Sequence, residues 1–442
     1  MQADLIVPIE SHTAPIPLHA CDQLLGPVYI RLAYYYERAP EKETLRASLV
    51  ALLARYPVFA GRMRADAEGR WEVHFPRAAG ARFEFVQRQG RGPEKGPEVL
   101  REAQAFLPSN PLWLTSDSTS LLIARLTRFS DGSGVLGIAL SHALVDGEGC
   151  SQLVDDWARL ARGERLERVI SHDRRALERI ADGLIDVPVE ASRFLRLSTP
   201  RFAATQTGLI FGILRSKSEL LYLSADALTA LHECAQVQAH GFVSPLDTLT
   251  AGLARTVAPA RSRDALPFSV IVDMRKRLRS LLPEGLCANF SSSATASLDA
   301  SELRNAPIGR LATQVRGAIE SVDTDSLARD LAFLRGHRAK QRGRLWPTAI
   351  DILRRSGVLF DSWTKQAMFD ADFGSGRPHW VEIPAFLPDG IMLFMPTAER
   401  DGSVMVRANV SGATRSLLRD TLPGVNARER GKRLIDQLLA RG

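Results

Sequence analysis

The sequence predicts a mixed α/β protein of 442 residues, in which strands and helices alternate along the chain. Three observations support this fold class. The length suits two domains or one large one. The composition, 45% hydrophobic and 24% charged, is that of a globular protein rather than a disordered one. Segments with the two-residue period of strands are interspersed with segments of helical period, which together favour packed sheets and helices.

The first elements are a strand, a helix and two more strands. Residues 27–37, PVYIRLAYYYE, are rich in aromatic and β-branched side chains and are predicted to form a strand. Residues 41–57 carry leucines at helical spacing and end at a proline, which predicts a helix. Apolar and polar side chains alternate in two further predicted strands, residues 69–75 and 81–87.

A predicted hairpin and helix follow in the middle of the first half. Residues 120–147 contain two apolar runs joined by SDGSG, which predicts a hairpin whose second strand ends near His142. Residues 147–163 have helical periodicity and a glycine stop. Residues 164–215 are less regular and include the turn-forming LSTPRF. We therefore predict an N-terminal domain over 1–195, a crossover over 196–215 and a C-terminal domain over 216–442.

The second half repeats the mixture of strands and helices. Residues 218–236 predict a strand followed by a helix, and residues 244–257 predict a helix capped by Ser244. Residues 267–278 predict a strand that runs into a cationic turn. A final hairpin is predicted at 390–396 and 402–410, followed from about residue 413 by a basic amphipathic surface helix.

Charge and cysteine content restrict the class of protein. The net charge of +7 is compatible with nucleic acid, an anionic surface or a phosphorylated ligand. The basic residues are spread out and no nucleic-acid-binding motif occurs, so we expect no nucleic-acid partner. Four cysteines without a CxxC pair argue against a zinc knuckle or disulfide framework and favour a reducing, cytoplasmic location. We expect neither a signal peptide nor a membrane span.

The stretch SHALVDGEG places His142 at a predicted strand end, with Asp146 four residues later and Gly147 next to it. An imidazole titrates near neutrality and can accept and return a proton during catalysis. Gly147 permits a backbone conformation that a Cβ would hinder. No second histidine stands at metal-ligand spacing, so we expect no metal site. On this spacing alone, a core histidine hydrogen-bonded at a strand end is the simpler explanation.

A second motif, DFGSGRP at residues 372–378, accompanies the first. Together, SHALVDG and DFGSGRP resemble the HxxxD and DFGWG signatures of the BAHD acyl-CoA-dependent acyltransferases. Further matches follow in the family's order over about 360 residues: IPLHACDQL (16–24), YPVFAGRM (56–63), VDMRKRL (272–278) with LCANF (286–290), and DSW (361–363).

This resemblance implies two chloramphenicol-acetyltransferase-like domains with a solvent channel between them. Acyl-CoA would enter at one mouth as co-substrate, and the acceptor, a small-molecule alcohol or amine of secondary metabolism, at the other. His142 would lie in the middle and act as the general base on the acceptor. The resemblance also implies a monomer with no tightly bound cofactor.

The resemblance further implies roles for residues around the histidine. Asp146 would turn away from the substrate and pair with an arginine, which we take to be Arg275. Asp372, Gly374 and Gly376 would form a structural turn at the domain interface. A helix N-cap is the simpler role for Asp146, and the two roles are compatible; a solvated turn charge is the simpler role for Arg275.

Four residues are candidates for the CoA channel by the same resemblance. Ser244 and Asp247 match an SxxD segment near that channel, although helix capping explains them equally well. Asn289 lies in the LCANF segment. Ser375 stands where the family usually has tryptophan. A hydroxyl can donate one hydrogen bond but lacks the area of an indole, which puts an oxyanion role at this position in doubt.

Two other functions remain open from the sequence. A condensation-like enzyme would take its acyl group from a carrier protein, but such enzymes usually show two adjacent histidines, and Ser141 occupies the first place here. A non-catalytic acyl-CoA-binding relative would keep the fold without the reaction. The missing tryptophan favours that alternative, and the intact His142, Asp146 and Gly147 argue against it.

Overall fold

The computed structural model describes most of the chain. The described residues are 2–6, 14–24, 28–67, 70–77, 79–93, 103–108, 119–184, 187–336, 345–383, 387–420 and 427–440. Within them the predicted mixed α/β class is confirmed, because two six-stranded sheets occur together with smaller sheets and helices.

The first large sheet, called here the N-terminal sheet, draws most of its strands from the first third of the chain. Its order is Gln2–Ile6, Ala81–Arg88, Leu122–Phe129, Gly134–Ser141, Tyr29–Tyr36 and Trp380–Glu382. The strand Gly134–Ser141 is buried at every residue. Its sequence, GVLGIALS, is accordingly a nearly continuous apolar run, as expected for a strand covered on both faces.

The second large sheet, the C-terminal sheet, positions the other side of the site. Its order is Lys217–Leu223, Val404–Val410, Ile391–Pro396, Val358–Ser362, Ala265–Asp273 and Ser291–Asp299. The strand Val358–Ser362 is parallel to both of its neighbours. The carboxyl ends of Val358–Ser362 and Ala265–Asp273 therefore lie at the same edge of the sheet.

Two small sheets complete the strands. Ile16–Pro17, Trp71–His74 and Arg62–Ala65 form a three-stranded sheet, and Phe194–Arg196 pairs with Leu345–Pro347.

Helices cover the sheets and connect their strands. The α-helices are Ala20–Leu24, Lys42–Arg55, Gly147–Ala161, Arg175–Arg179, Thr199–Arg215, Ala225–Gln238, Pro245–Arg261, Arg275–Leu278, Ala300–Asn305, Ile308–Glu320, Thr324–Gly336, Thr348–Arg354, Gly412–Asp420 and Ala427–Leu439. Short 3₁₀ helices lie at Pro57–Ala60, Val189–Ala191 and Met368–Asp370.

The long periodic segments were predicted correctly. The helix Lys42–Arg55 buries its leucines as the spacing requires. The predicted hairpin is present, with Leu122–Phe129 antiparallel to Gly134–Ser141 and the turn between them. The predicted final hairpin is also present, with Ile391–Pro396 antiparallel to Val404–Val410.

Two predictions of local structure were wrong. Residues 199–215, predicted to be irregular, form a 17-residue helix. Its apolar residues lie on both faces of the helix: Ile210, Phe211 and Leu214 are exposed, whereas Phe202, Leu209 and Ile213 are partly buried. This spread obscures the helical period in the sequence. The single helix predicted from residue 413 is two helices, with residues 421–426 outside the described part. The second of these buries Leu434 and Ile435 rather than lying wholly on the surface.

One strand crosses between the halves of the chain. Trp380–Glu382 pairs antiparallel with Tyr29–Tyr36 and so belongs to the N-terminal sheet. A strictly linear division at residues 196–215 leaves this strand in the wrong half. The domain limits 1–195 and 216–442 therefore stay a prediction, and the strand Trp380–Glu382 is an exception to them because it pairs with the N-terminal sheet.

Candidate active site

The HxxxDG segment forms the turn between a buried strand and a helix. The strand Gly134–Ser141 ends one residue before His142, whose backbone N–H donates to the carbonyl of Val28 at 2.8 Å. Asp146 then caps the helix Gly147–Ala161, because its carboxylate accepts the N–H of Gly149 at 3.0 Å. The strand end and the capped helix together fix the backbone on both sides of the histidine.

Asp146 also forms the predicted ion pair. Arg275 donates two hydrogen bonds to its carboxylate, at 2.9 and 2.6 Å, and the N–H of Phe290 donates a third at 2.8 Å. The guanidinium of Arg275 lies 4.5 Å from the centroid of the Phe290 ring. Burial would raise the pKa of Asp146, but Arg275 and the backbone donors outweigh burial and hold this pKa below its usual value. Asp146 is therefore a buried, ionised carboxylate that serves as cap and ion-pair partner at once.

A second buried network supports the carbonyl of His142. The side-chain amide of Asn289 donates to that carbonyl at 2.8 Å and to Asp22 at 2.7 Å. Asp22 also accepts from Arg174 at 2.6 Å and lies 2.8 Å from the ring of His19. Burial acts to raise the pKa of Asp22, but Arg174 and His19 lower it to about 2. This network was missed by local sequence reasoning, because its members lie far apart in the chain.

The end of the strand Val358–Ser362 faces the HxxxDG turn from the C-terminal sheet. Trp363, next in the chain, lies so close to Gly147 that a Cβ there would come 2.7 Å from its ring. This contact explains why residue 147 is a glycine, because any larger side chain would collide with the indole ring. The indole Nε1 of Trp363 donates to Asp361 at 2.9 Å. Asp361 belongs to the DSW segment that matched the family, but the sequence alone assigned it no role.

A cavity of about 1000 Å³ opens beside this strand end. Its lining includes Ser244, Asp247, Arg316 and Asp361. Ser244 and Asp247 form a reciprocal capping box at 3.2 and 2.7 Å, and Arg316 donates to Asp247 at 2.8 Å. The capping role and a place on the cavity wall are thus both observed for the SxxD segment.

The other two channel candidates lie elsewhere. Asn289 is buried under His142, and Ser375 lies in the DFGSG turn; neither is among the described residues that line this cavity. The amide of Asn289 is committed to Asp22 and to the histidine carbonyl. The structure therefore places Asn289 in contact with the HxxxDG turn, and its assignment to the CoA channel stays a prediction.

The DFGSG segment is a tight turn packed on the far end of the HxxxDG helix. The carboxylate of Asp372 accepts the N–H groups of Gly374 and Gly376 at 2.8 and 2.9 Å. Both glycines have positive φ, +93° and +102°, which favours glycine at these positions. Phe373 packs edge-on against Trp157, with ring centroids 5.1 Å apart. These contacts are those of a structural turn.

Among the described residues, no group of three or more His, Cys, Asp or Glu side chains is placed to hold a metal ion. No helix in the described part of the chain has the length and apolar character needed to cross a membrane.

Comparison with known proteins identifies the family. The model of the Transferase family matches residues 1–419. Agmatine coumaroyltransferase-1 of Hordeum vulgare is 25% identical over 400 residues, which is 88% of this chain and 89% of that protein. Shikimate O-hydroxycinnamoyltransferase of Nicotiana tabacum is 24% identical over 379 residues, 83% of each chain.

A solved structure agrees with this assignment at the level of the fold. F. graminearum TRI101 in complex with coenzyme A and T-2 mycotoxin superposes with a TM-score of 0.76 at 17% identity, covering 92% of this chain and 97% of that one. The two-domain, chloramphenicol-acetyltransferase-like architecture expected from the motifs is thereby confirmed. The chain belongs to the Transferase family, the BAHD acyl-CoA-dependent acyltransferases of secondary metabolism that its motifs resemble.

Proposed function

We propose that this protein transfers an acyl group from acyl-CoA to the hydroxyl or amine of a small-molecule acceptor, with His142 as the general base. His142 removes a proton as the acceptor attacks the thioester carbonyl. The tetrahedral oxyanion collapses, and His142 returns the proton to the leaving thiolate of CoA. Because a thioester is already activated, positioning plus one base suffices without a covalent acyl-enzyme.

The observation that carries this proposal is the way both halves of the chain converge on one histidine. The HxxxDG turn is fixed by Arg275, Phe290 and Asn289 from the C-terminal half. Such preorganisation is what a general base requires, because the reacting atoms must be held at hydrogen-bond distance. The same turn contacts Trp363, which follows the cavity-lining residues Asp361 and Ser362 in the chain.

The large cavity is our proposed site for acyl-CoA. Its volume of about 1000 Å³ suits a cofactor-sized molecule. Its wall carries Ser244 and Asp247, which match the segment that the family has near its CoA channel. We assign no tightly bound cofactor, and we propose Gly147, Asp372, Gly374 and Gly376 as structural residues.

We further propose that the protein is a monomer in the cytoplasm. All four cysteines are unpaired, which suits a reducing compartment.

The test is acceptor-dependent thiol release from a panel of acyl-CoAs, with a mixed pool of alcohols and amines. A positioned general base typically contributes about 10²–10⁴-fold, so His142→Ala should lose at least about 100-fold in turnover. His240→Ala, a change at an exposed histidine, is the matched control and should keep full activity. A His142→Ala variant that keeps more than about a tenth of the wild-type rate would remove His142 from this role.

The alternatives give different results in the same assay. A carrier-protein donor predicts no release from free acyl-CoA but turnover with acyl-carrier protein. A non-catalytic relative predicts acyl-CoA binding, measured by calorimetry, with no release from either donor.

A further inference from the structure

Asp361 is a carboxylate on the wall of the large cavity, at the end of the strand Val358–Ser362. Its side chain is half-buried, so it contacts both the protein and the cavity. The strand is parallel to Ala265–Asp273, which runs on into Arg275. Asp361 therefore lies near the edge of the sheet where the HxxxDG turn is held.

The surroundings of Asp361 tie it to the reaction centre. Its Oδ2 atom accepts the indole N–H of Trp363, which packs on Gly147. The pKa of Asp361 is raised above its usual value, mainly because the side chain is buried. The negative charge of Asp146 adds to this rise, while the Trp363 hydrogen bond and the interaction with His142 partly oppose it. Arg275 is already bound to the carboxylates of Asp146 and Asp273. Asp361 is thus a second titratable group, joined through Trp363 to the turn that carries the proposed base.

The number of protons to be removed distinguishes the two acceptor classes. An alcohol loses one proton on becoming an ester. A primary amine is an ammonium ion at neutral pH, with a pKa like that of lysine near about 10.4. It must lose one proton to expose its lone pair and a second on becoming an amide. Ester formation from an alcohol therefore needs one base, whereas amide formation from an ammonium ion needs two proton acceptors.

We propose that Asp361 marks the end of the acyl-CoA cavity at which the acceptor meets the thioester, and that it binds the ammonium group of a primary-amine acceptor and takes its first proton, which makes this chain an N-acyltransferase. This inference rests on the proposed function and names its acceptor class. An ionised carboxylate close to a thioester opposes the developing oxyanion. An ammonium ion removes this opposition by transferring a proton to Asp361 before the attack, whereas a neutral alcohol leaves the carboxylate ionised.

The proton balance closes without another reactant. The ammonium gives its first proton to the Asp361 carboxylate, and burial in the cavity narrows the gap between their pKa values, since desolvation favours both neutral forms. The neutral amine attacks the thioester carbonyl, a C–N bond forms and His142 takes the second proton. The C–S bond then breaks, and His142 protonates the CoA thiolate. Asp361 releases its proton to solvent after the amide departs.

The experiment compares acceptors that differ only in the reacting group. Suitable pairs are 2-phenylethylamine with 2-phenylethanol, tyramine with tyrosol, and putrescine with 1,4-butanediol, each measured by thiol release with the acyl-CoA panel. Wild type should prefer the amine in kcat/KM by at least about 10-fold. In Asp361→Asn, which keeps the size and one acceptor oxygen for Trp363, kcat/KM for amines should fall by about 100-fold or more, with alcohols changing less than about 3-fold.

Two further variants separate this role from a structural one. Asp361→Glu restores a carboxylate and should recover part of the amine rate. Asp182→Asn, an exposed aspartate, is the control and should change neither rate. Thermal unfolding of each variant shows whether it folds. If Asp361→Asn does not fold, the preference of the wild type for amines over alcohols still tests the proposal.

The remaining outcomes overturn the proposal. An equal loss with amines and alcohols in a folded Asp361→Asn would assign Asp361 to the common step. Turnover of alcohols alone would reject the amine acceptor and leave the acyltransferase function standing. No thiol release with either class would count against both proposals.

Discussion

Replacing Asp146 with asparagine tests whether the HxxxDG turn depends on a buried ion pair. The carboxylate accepts two hydrogen bonds from Arg275 and one each from the N–H groups of Gly149 and Phe290. Asparagine keeps one oxygen, which can still cap the helix. Its NH₂ group, however, would face a guanidinium that can only donate.

The magnitude follows from the burial of this pair. The side chain of Asp146 is 2% exposed and that of Arg275 is 26% exposed. Removing one partner of a buried pair costs about 3–5 kcal/mol. The partial exposure of Arg275 places our expectation at the lower end, about 3 kcal/mol. Against a total stability of about 5–15 kcal/mol, this loss is large but leaves a folded protein to assay.

Urea unfolding followed by tryptophan fluorescence gives the loss of stability, and thiol release gives the loss of rate. The control is Asp182→Asn, which breaks an exposed pair with Arg335 and should cost at most about 1 kcal/mol. A well-folded Asp146→Asn that loses less than about 1 kcal/mol and keeps full activity would refute the reasoning.

The same substitution has a predicted pH dependence. The pKa of Asp146 in the folded protein lies below its usual value. Its stabilising contribution is therefore complete above the unfolded pKa of about 3.9 and is lost as the pH falls through the folded-state pKa. The difference in stability between wild type and Asp146→Asn should be constant near neutrality and should shrink when the pH is lowered below about 4.

Two further substitutions test the contacts on either side of the histidine. In Gly147→Ala, the new Cβ would lie 2.7 Å from the Trp363 ring, so the free energy of unfolding should fall by about 1–3 kcal/mol. The control is Gly208→Ala in a helix with open space around the glycine, which should leave the free energy of unfolding unchanged or raise it by about 0.5–1 kcal/mol. In Asn289→Ala, the His142 carbonyl loses its 2.8 Å donor, so kcat should fall by about 10-fold with KM for acyl-CoA unchanged; a rise in KM at constant kcat would contradict this positioning role.

The sequence predicted the parts of the site that depend on local rules. A strand end at His142, a cap at Asp146 and a capping box at Ser244 each follow from neighbouring residues. The pairing of Asp146 with Arg275 joins distant segments, and it was predicted through the family's motifs rather than through any local pattern. Periodicity and capping reach about one turn or one strand, and no further.

Other features escaped prediction for the same physical reason. Trp380–Glu382 is a three-residue strand, too short to show a two-residue period, and its place in the N-terminal sheet is set by a partner far away in the chain. Asp361 was visible in the sequence only as the first residue of the DSW match, with no role attached to it. Its chemical interest arises from its place on the cavity wall and its bond to Trp363, which packs on Gly147 of the HxxxDG turn. Only the packing of the two halves of the chain produces that contact.

The contacts that hold His142 are also contacts between the two halves of the chain, and this links stability to catalysis. Apolar residues in place of Asp146 and Arg275 could give a similar stability, because a buried ion pair gains little over a well-packed apolar pair. Apolar contacts, however, do not fix the orientation of the side chains that make them. The guanidinium of Arg275 donates two hydrogen bonds to the carboxylate and so holds it in one orientation. We infer that the polar interface is retained for the geometry of the histidine it surrounds. A substitution there should therefore lower the rate even where a compensating mutation restores the stability.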